Sequence, residues 1–129
     1  MTQLLAHLVG DYVLQSHVMA TRKTSSWAWA LVHAAFYTLP FLFLTTDPWR
    51  LAVIGGTHAV IDRYRLAGLW CAAYGVGFPG VWHTGLRLRA RFSGAPLPVF
   101  DPPPPFLGVW LIIIVDNTMH MLINYAVLS

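Results

Sequence analysis

Three aspartates in this chain each have a histidine four positions away: Asp11 with His7, Asp62 with His58, and Asp116 with His120. On a helix, residues four apart lie one turn above each other on the same face. Each pair would therefore turn an imidazole nitrogen and a carboxylate oxygen in one direction. Mixed imidazole and carboxylate donors suit a divalent Zn, Mn or Fe ion. Three such edges facing one another would crowd three carboxylates, a repulsion that a bound cation or protons relieve. The other two aspartates need no such account, because Asp47 and Asp101 each precede a proline, where turn chemistry explains them. Two readings without metal stay open at this point: a buried, proton-bonded polar network that holds helices together, and coincidental packing.

The expected metal ligands are His7, Asp11, His58, Asp62, Asp116 and His120. Gln15 follows Asp11 by one turn and Asn124 follows His120 by one turn; with Asn117 they are expected to hydrogen-bond to the ligands and orient them. His33 stands alone on its segment, so it is either a satisfied core histidine or a ligand or general acid/base, and with Asp62 it is the catalytic candidate. His17 and His83 read as interfacial, and the single Cys71 excludes a thiolate site or a disulfide within one chain.

Composition supplies the elements that must position these groups. Of 129 residues, 57% are hydrophobic and only 10% are charged, well below the usual quarter. That balance predicts an all-α, polytopic membrane protein: a single domain over residues 1–129 built as a four-helix transmembrane bundle. The helices are expected at about 2–20, 27–46, 49–73 and 107–128, with a long Pro/Gly-rich loop at about 74–106 between the third and the fourth. Trp27–Thr46 is a run without a charge, Pro40 would kink it, and Gly55–Gly56 would let a neighbouring backbone come close. Arg22, Lys23, Arg63, Arg65, Arg87, Arg89 and Arg91 fall in two connections, which the positive-inside rule makes cytoplasmic and which places both termini outside. The proline run within "APLPVFDPPPPF" reads as a stiff spacer, and "LRLRARF" reads either as a headgroup-level basic segment or as a loop that only fixes topology. No nucleic-acid motif is present, and the net charge of +3 is accounted for by the cytoplasmic loops.

The stretches "HLVGDYVLQSHVMATRK" from His7, "HAAFYTLP" from His33, "THAVIDRYR" from Thr57 and "DNTMHMLIN" from Asp116 resemble a small family of bacterial and phage membrane proteins classed as a domain of unknown function, DUF3307. The resemblance implies that His7, Asp11, Gln15, Lys23, His33, His58, Asp62, Asp116 and His120 fall on the family's characteristic positions. It also implies a bacterial inner (cytoplasmic) membrane location and carries no established activity. The family often has lysine where Arg65 stands and Asp-Gln where Asp116-Asn117 stand. A more distant likeness to membrane-bound metal-dependent hydrolases is an analogy.

The functional expectation is a membrane-embedded, metal-dependent hydrolase with one or two divalent ions, acting on a membrane lipid or phosphorylated amphiphile. Lys23, Arg63 and Arg65 would hold the anionic group of the substrate. The alternatives are a non-enzymatic membrane interaction protein, a phage or host factor whose His/Asp cluster is structural, and a proton or metal-ion carrier, which four spans would support only as a homo-oligomer.

Overall fold

The structure is a computed structural model and describes residues 2–74, 94 and 105–129, so nearly all of the expected 74–106 loop, with Arg87, Arg89 and Arg91, lies outside the described residues. Every regular element among the described residues is helical. Helix α1 (Thr2–Leu8) runs into a π-helical turn (Val9–Val13), then a break, then α2 (His17–Arg22). Helix α3 (Trp27–Thr38) continues as a 3-10 turn (Leu39–Phe43); α4 (Pro48–Tyr64), α5 (Leu66–Tyr74) and α6 (Pro105–Leu128) follow.

Local chemistry explains these boundaries. Ser16 caps α2, its hydroxyl accepting from the Met19 amide at 3.3 Å, and so starts a new helix where one continuous helix over 2–20 was expected. Pro40 lacks an amide hydrogen, and the chain tightens from α to 3-10 beside it. Asp47 accepts from the Trp49 amide at 2.9 Å, and Pro48 occupies the first turn of α4. Arg65 ends α4 in the left-handed region at φ 53°, ψ 46°, which divides the expected 49–73 helix into α4 and α5.

These breaks overturn the four-helix transmembrane bundle. Crossing a bilayer takes about 20 apolar residues in one helix, and among the described residues only Phe106–Leu128 is long and apolar enough. The apolar Trp27–Phe43 stretch is shorter, and the first and third expected spans are interrupted at Leu14–Ser16 and Arg65. The all-helical part of the expectation stands.

The chain divides into two compact units, Met1–Arg65 with Asn117–Ser129, and Leu66–Asp116. The first contains the core of Ala6, Tyr37, Phe41 and Ile54, with Leu44, Leu51, Val127 and Leu128 packed around it. Two glycines let its helices approach. A Cβ on Gly10 would stand 2.6 Å from the Tyr37 carbonyl oxygen, and one on Gly55 would stand 2.8 Å from Thr38 Cγ2; at Gly56 there is open space, so only half of the expected glycine pair serves packing. The second unit contains α5, in which Ala67 and Cys71 are buried, and the first part of α6 up to Asp116.

Candidate metal centre

The first unit buries an unusual number of polar side chains: His7, Asp11, His33, His58, Asp62, His120 and Asn124 are each at most 6% exposed. Four of them, Asp11, His33, His58 and Asp62, each offer one donor atom within 4.8 Å of the others and could hold a metal ion. The π turn supplies Asp11, α3 supplies His33, and α4 supplies His58 and Asp62 one turn apart.

The geometry of these donors is specific. His33 Nε2, His58 Nε2 and Asp62 Oδ2 form a near-equilateral triangle with edges of 3.0, 3.1 and 3.3 Å. Asp11 Oδ1 adds a fourth corner, 3.2 Å from His33 Nε2 and 3.7 Å from His58 Nε2. Donors bound tetrahedrally at about 2.0–2.1 Å stand about 3.3–3.4 Å apart, so the observed edges bracket that spacing. Hydrogen bonding leaves one of these donors unaccounted for. Asp62 Oδ2 is buried and has three nitrogens, from Lys23, His58 and His33, within 3.3 Å, yet none of these approaches has hydrogen-bond geometry. His33 Nε2, by contrast, lies within hydrogen-bond distance of His58 Nε2, Asp11 Oδ1 and Lys23 Nζ, more approaches than one ring nitrogen can satisfy.

Electrostatics prepares the donors. Burial raises the Asp62 carboxyl, but the close approach of the His33 and His58 rings and the charge of Lys23 outweigh it, and the group lies far below the usual carboxylate range. Asp11 is likewise lowered, its burial overcome by His33 and Lys23. Burial pushes His58 down to about 4 despite Asp62, so its imidazole is neutral and able to coordinate. Burial lowers His33, but its hydrogen bond to Asp11 and the nearby Asp62 carboxylate outweigh that cost and the group is raised.

A surrounding layer fixes the rings. His58 Nδ1 and His120 Nδ1 share a hydrogen bond of 3.2 Å, in which His58 would be the donor when its Nε2 holds a metal, and His120 Nε2 stands 3.9 Å from Asp62 Oδ1. Tyr37 stacks on His58 with ring centroids 3.6 Å apart and planes 8° from parallel. The Tyr37 hydroxyl accepts from Asn124 Nδ2 at 2.7 Å and donates to His7 Nδ1 at 2.9 Å; His7 Nε2 donates to Asn117 Oδ1 at 2.6 Å.

The expected site residues therefore separate. His58 and Asp62 keep their one-turn pairing, and His33, expected to stand alone, joins them. His7 and Asp11 do not act as a pair: the wider π turn between them rotates Asp11 to the centre and leaves His7 with both ring nitrogens engaged by Tyr37 and Asn117. His120 reaches His58 Nδ1 at 3.2 Å and Asp62 Oδ1 at 3.9 Å, and with Asp62 it belongs to a second group of donors that could hold a metal ion. Asp116 is half-buried at the end of the second unit. Of the amides expected to orient ligands, Asn124 acts through Tyr37, Asn117 bonds to His7, and Gln15 lies in the break after the π turn with its Oε1 buried and unpartnered.

The three cations expected at a substrate mouth also differ in place. Lys23 reaches into the cluster, Nζ 2.8 Å from Asp62 Oδ2, 3.3 Å from His33 Nε2 and 3.7 Å from Asp11 Oδ1. Arg63 is anchored, donating from Nη1 to the Thr24 carbonyl at 2.6 Å and lying over the Trp27 and Tyr64 rings. Arg65 is exposed at the end of α4. Tyr37 was not anticipated from the sequence, although it follows His33 by one turn, the same spacing that marks the His/Asp pairs.

Residues 1–72 match DUF3307, a family of proteins of unknown function, and the chain belongs to it. The matched segment contains Asp11, Lys23, His33, His58 and Asp62 and ends before α6, so the resemblance seen around Asp116 falls outside it. No curated protein and no solved structure matches the chain.

Proposed function

We propose that this chain is a metal-dependent hydrolase that works at a membrane on a lipid or phosphorylated amphiphile. The observation that carries this reading is the His33, His58 and Asp62 triangle, a set of two imidazoles and one carboxylate at coordination spacing with a second carboxylate beside it. Zn, Mn or Fe suits that donor set. A divalent ion bound there would supply a water of lowered pKa, about 7 for zinc, and would polarise an ester or phosphoryl oxygen. The residues divide the remaining work. Asp11, the corner furthest from His58, is placed to accept a proton at Oδ1. Neutral His58 is held in its tautomer by His120 and in its plane by Tyr37. Arg65, exposed close to Asp62 in the chain, is available to an anionic headgroup.

Two features support the membrane location: Phe106–Leu128 is long and apolar enough to cross, and large apolar side chains face outward, with Phe43 93% and Val13 73% exposed. A second reading, a closed structural centre in a protein that acts by binding partners, is favoured by Asp11 Oδ1 standing from His33 Nε2 at the spacing of two ligands on one metal, which would fill a fourth position.

Turnover of phospholipids and lipid phosphates by the purified, untagged protein separates the two. The hydrolase reading expects metal-dependent product, and it expects Asp11→Asn to keep the metal while slowing turnover by about 10²–10⁴-fold. Metal held without product from any substrate, and lost in Asp11→Asn, would establish the structural centre instead.

A further inference from the structure

Lys23 is the only lysine in the chain, and its ammonium lies where a metal-binding site would least tolerate a fixed positive charge. Nζ covers the face formed by Asp62 Oδ2, His33 Nε2 and Asp11 Oδ1 at 2.8, 3.3 and 3.7 Å, and its side chain is 14% exposed while the two carboxylates are 5% exposed. Two buried carboxylates without a cation would carry a large desolvation cost, so some positive charge must accompany them when no metal is bound. Lys23 meets that need from the outer side of the cluster. A divalent ion at the centre would meet the ammonium at close range across a poorly hydrated gap, and like charges so placed repel strongly.

We propose that Lys23 is the internal cation of this site: its ammonium partly offsets the charge of Asp11 and Asp62 in the metal-free protein, and a divalent ion binds by displacing it. The proposal rests on the metal reading above and adds how the site is kept intact and guarded when empty. Displacement needs only side-chain rotation, because the backbone beside Lys23 is fixed from another helix: Arg63 Nη1 holds the Thr24 carbonyl at 2.6 Å, and the Lys23 amide closes α2 on the Met19 carbonyl. Arg63 is thus a positioning residue for the lysine. The exchange also gives selectivity, since an ion must outcompete a tethered ammonium, which a divalent ion does far better than a monovalent one.

The single lysine makes the exchange directly measurable. The purified full-length protein, without a histidine tag, is treated with an amine-reactive reagent with and without Zn²⁺, and peptide mass spectrometry follows modification at Lys23 against the N-terminal amine as internal standard. In parallel, zinc affinity of wild type and Lys23→Met is measured by competition with a chromophoric chelator. Displacement predicts that zinc speeds Lys23 modification at least about fivefold, and that Lys23→Met binds zinc at least about tenfold more tightly. Should Lys23→Met fail to fold without metal, the labelling of wild type still decides. Zinc bound with Lys23 modification unchanged or slowed overturns the displacement and leaves the metal site standing, with Lys23 then a retained partner for an anion. Zinc bound by neither wild type nor the variant overturns both.

Discussion

Tyr37 lies flat on His58, ring centroids 3.6 Å apart, and its hydroxyl joins Asn124 and His7 on the other side. One side chain from α3 thus sets the plane of a candidate ligand on α4 and is itself set by α1 and by the last part of α6. Removing the hydroxyl leaves two buried polar groups, Asn124 Nδ2 and His7 Nδ1, without the partner they share. Tyr37→Phe is expected to destabilise the protein by about 1–3 kcal/mol while retaining metal, because the stacked ring remains. Chemical denaturation with a parallel metal assay checks this; full stability would show that the hydroxyl network contributes little.

Gly10 sets the depth of Asp11. Since a Cβ there would stand 2.6 Å from a backbone oxygen, the neighbour cannot give way by a rotamer change. Gly10→Ala should cost about 1–3 kcal/mol and weaken metal binding by pushing the π turn, and Asp11 with it, away from α3. Unchanged melting and unchanged metal affinity would mean that the close approach is not required.

The helices were legible in the sequence to the extent that hydropathy marks them, and α6 fell within two residues of its expected start. What could not be read was their continuity. A hydropathy window passes over Ser16, whose cap depends on a local turn, and over Arg65, whose left-handed conformation has no compositional sign. The site was legible in the same uneven way. His58 and Asp62 obey α-helical spacing and were found by it. The spacing rule placed His7 with Asp11 as well, but a π turn holds more residues per turn and separates them. His33 and Lys23 join the cluster through tertiary packing, which pair spacing along one helix cannot detect.

Arg65 adopts a backbone conformation that favours glycine, at φ 53°. Arg65→Gly should stabilise the end of α4 by up to about 1 kcal/mol, seen as a higher denaturation midpoint, while leaving metal content alone. If Arg65 also serves a headgroup, the same variant raises KM for an anionic lipid and leaves kcat unchanged. A lower midpoint would indicate that the guanidinium makes a contact worth more than the relief of backbone strain.

His7 offers a control that distinguishes a metal ligand from its surroundings. Both its nitrogens are engaged away from the triangle, so His7→Gln should reduce stability by about 1–3 kcal/mol and keep the metal. Complete loss of metal in a variant that still melts cooperatively would place His7 back among the ligands.

The most direct test of the central claim is the metal content of the untagged protein by mass spectrometry, for wild type, His33→Ala and Asp62→Asn purified side by side after equilibration with Zn²⁺ and gel filtration. Convergence of His33, His58 and Asp62 on one ion predicts about one metal per wild-type chain and nearly none in either variant, with both variants still helical by circular dichroism. Wild type that emerges without metal, or variants that retain it in full, would contradict a metal centre at these residues.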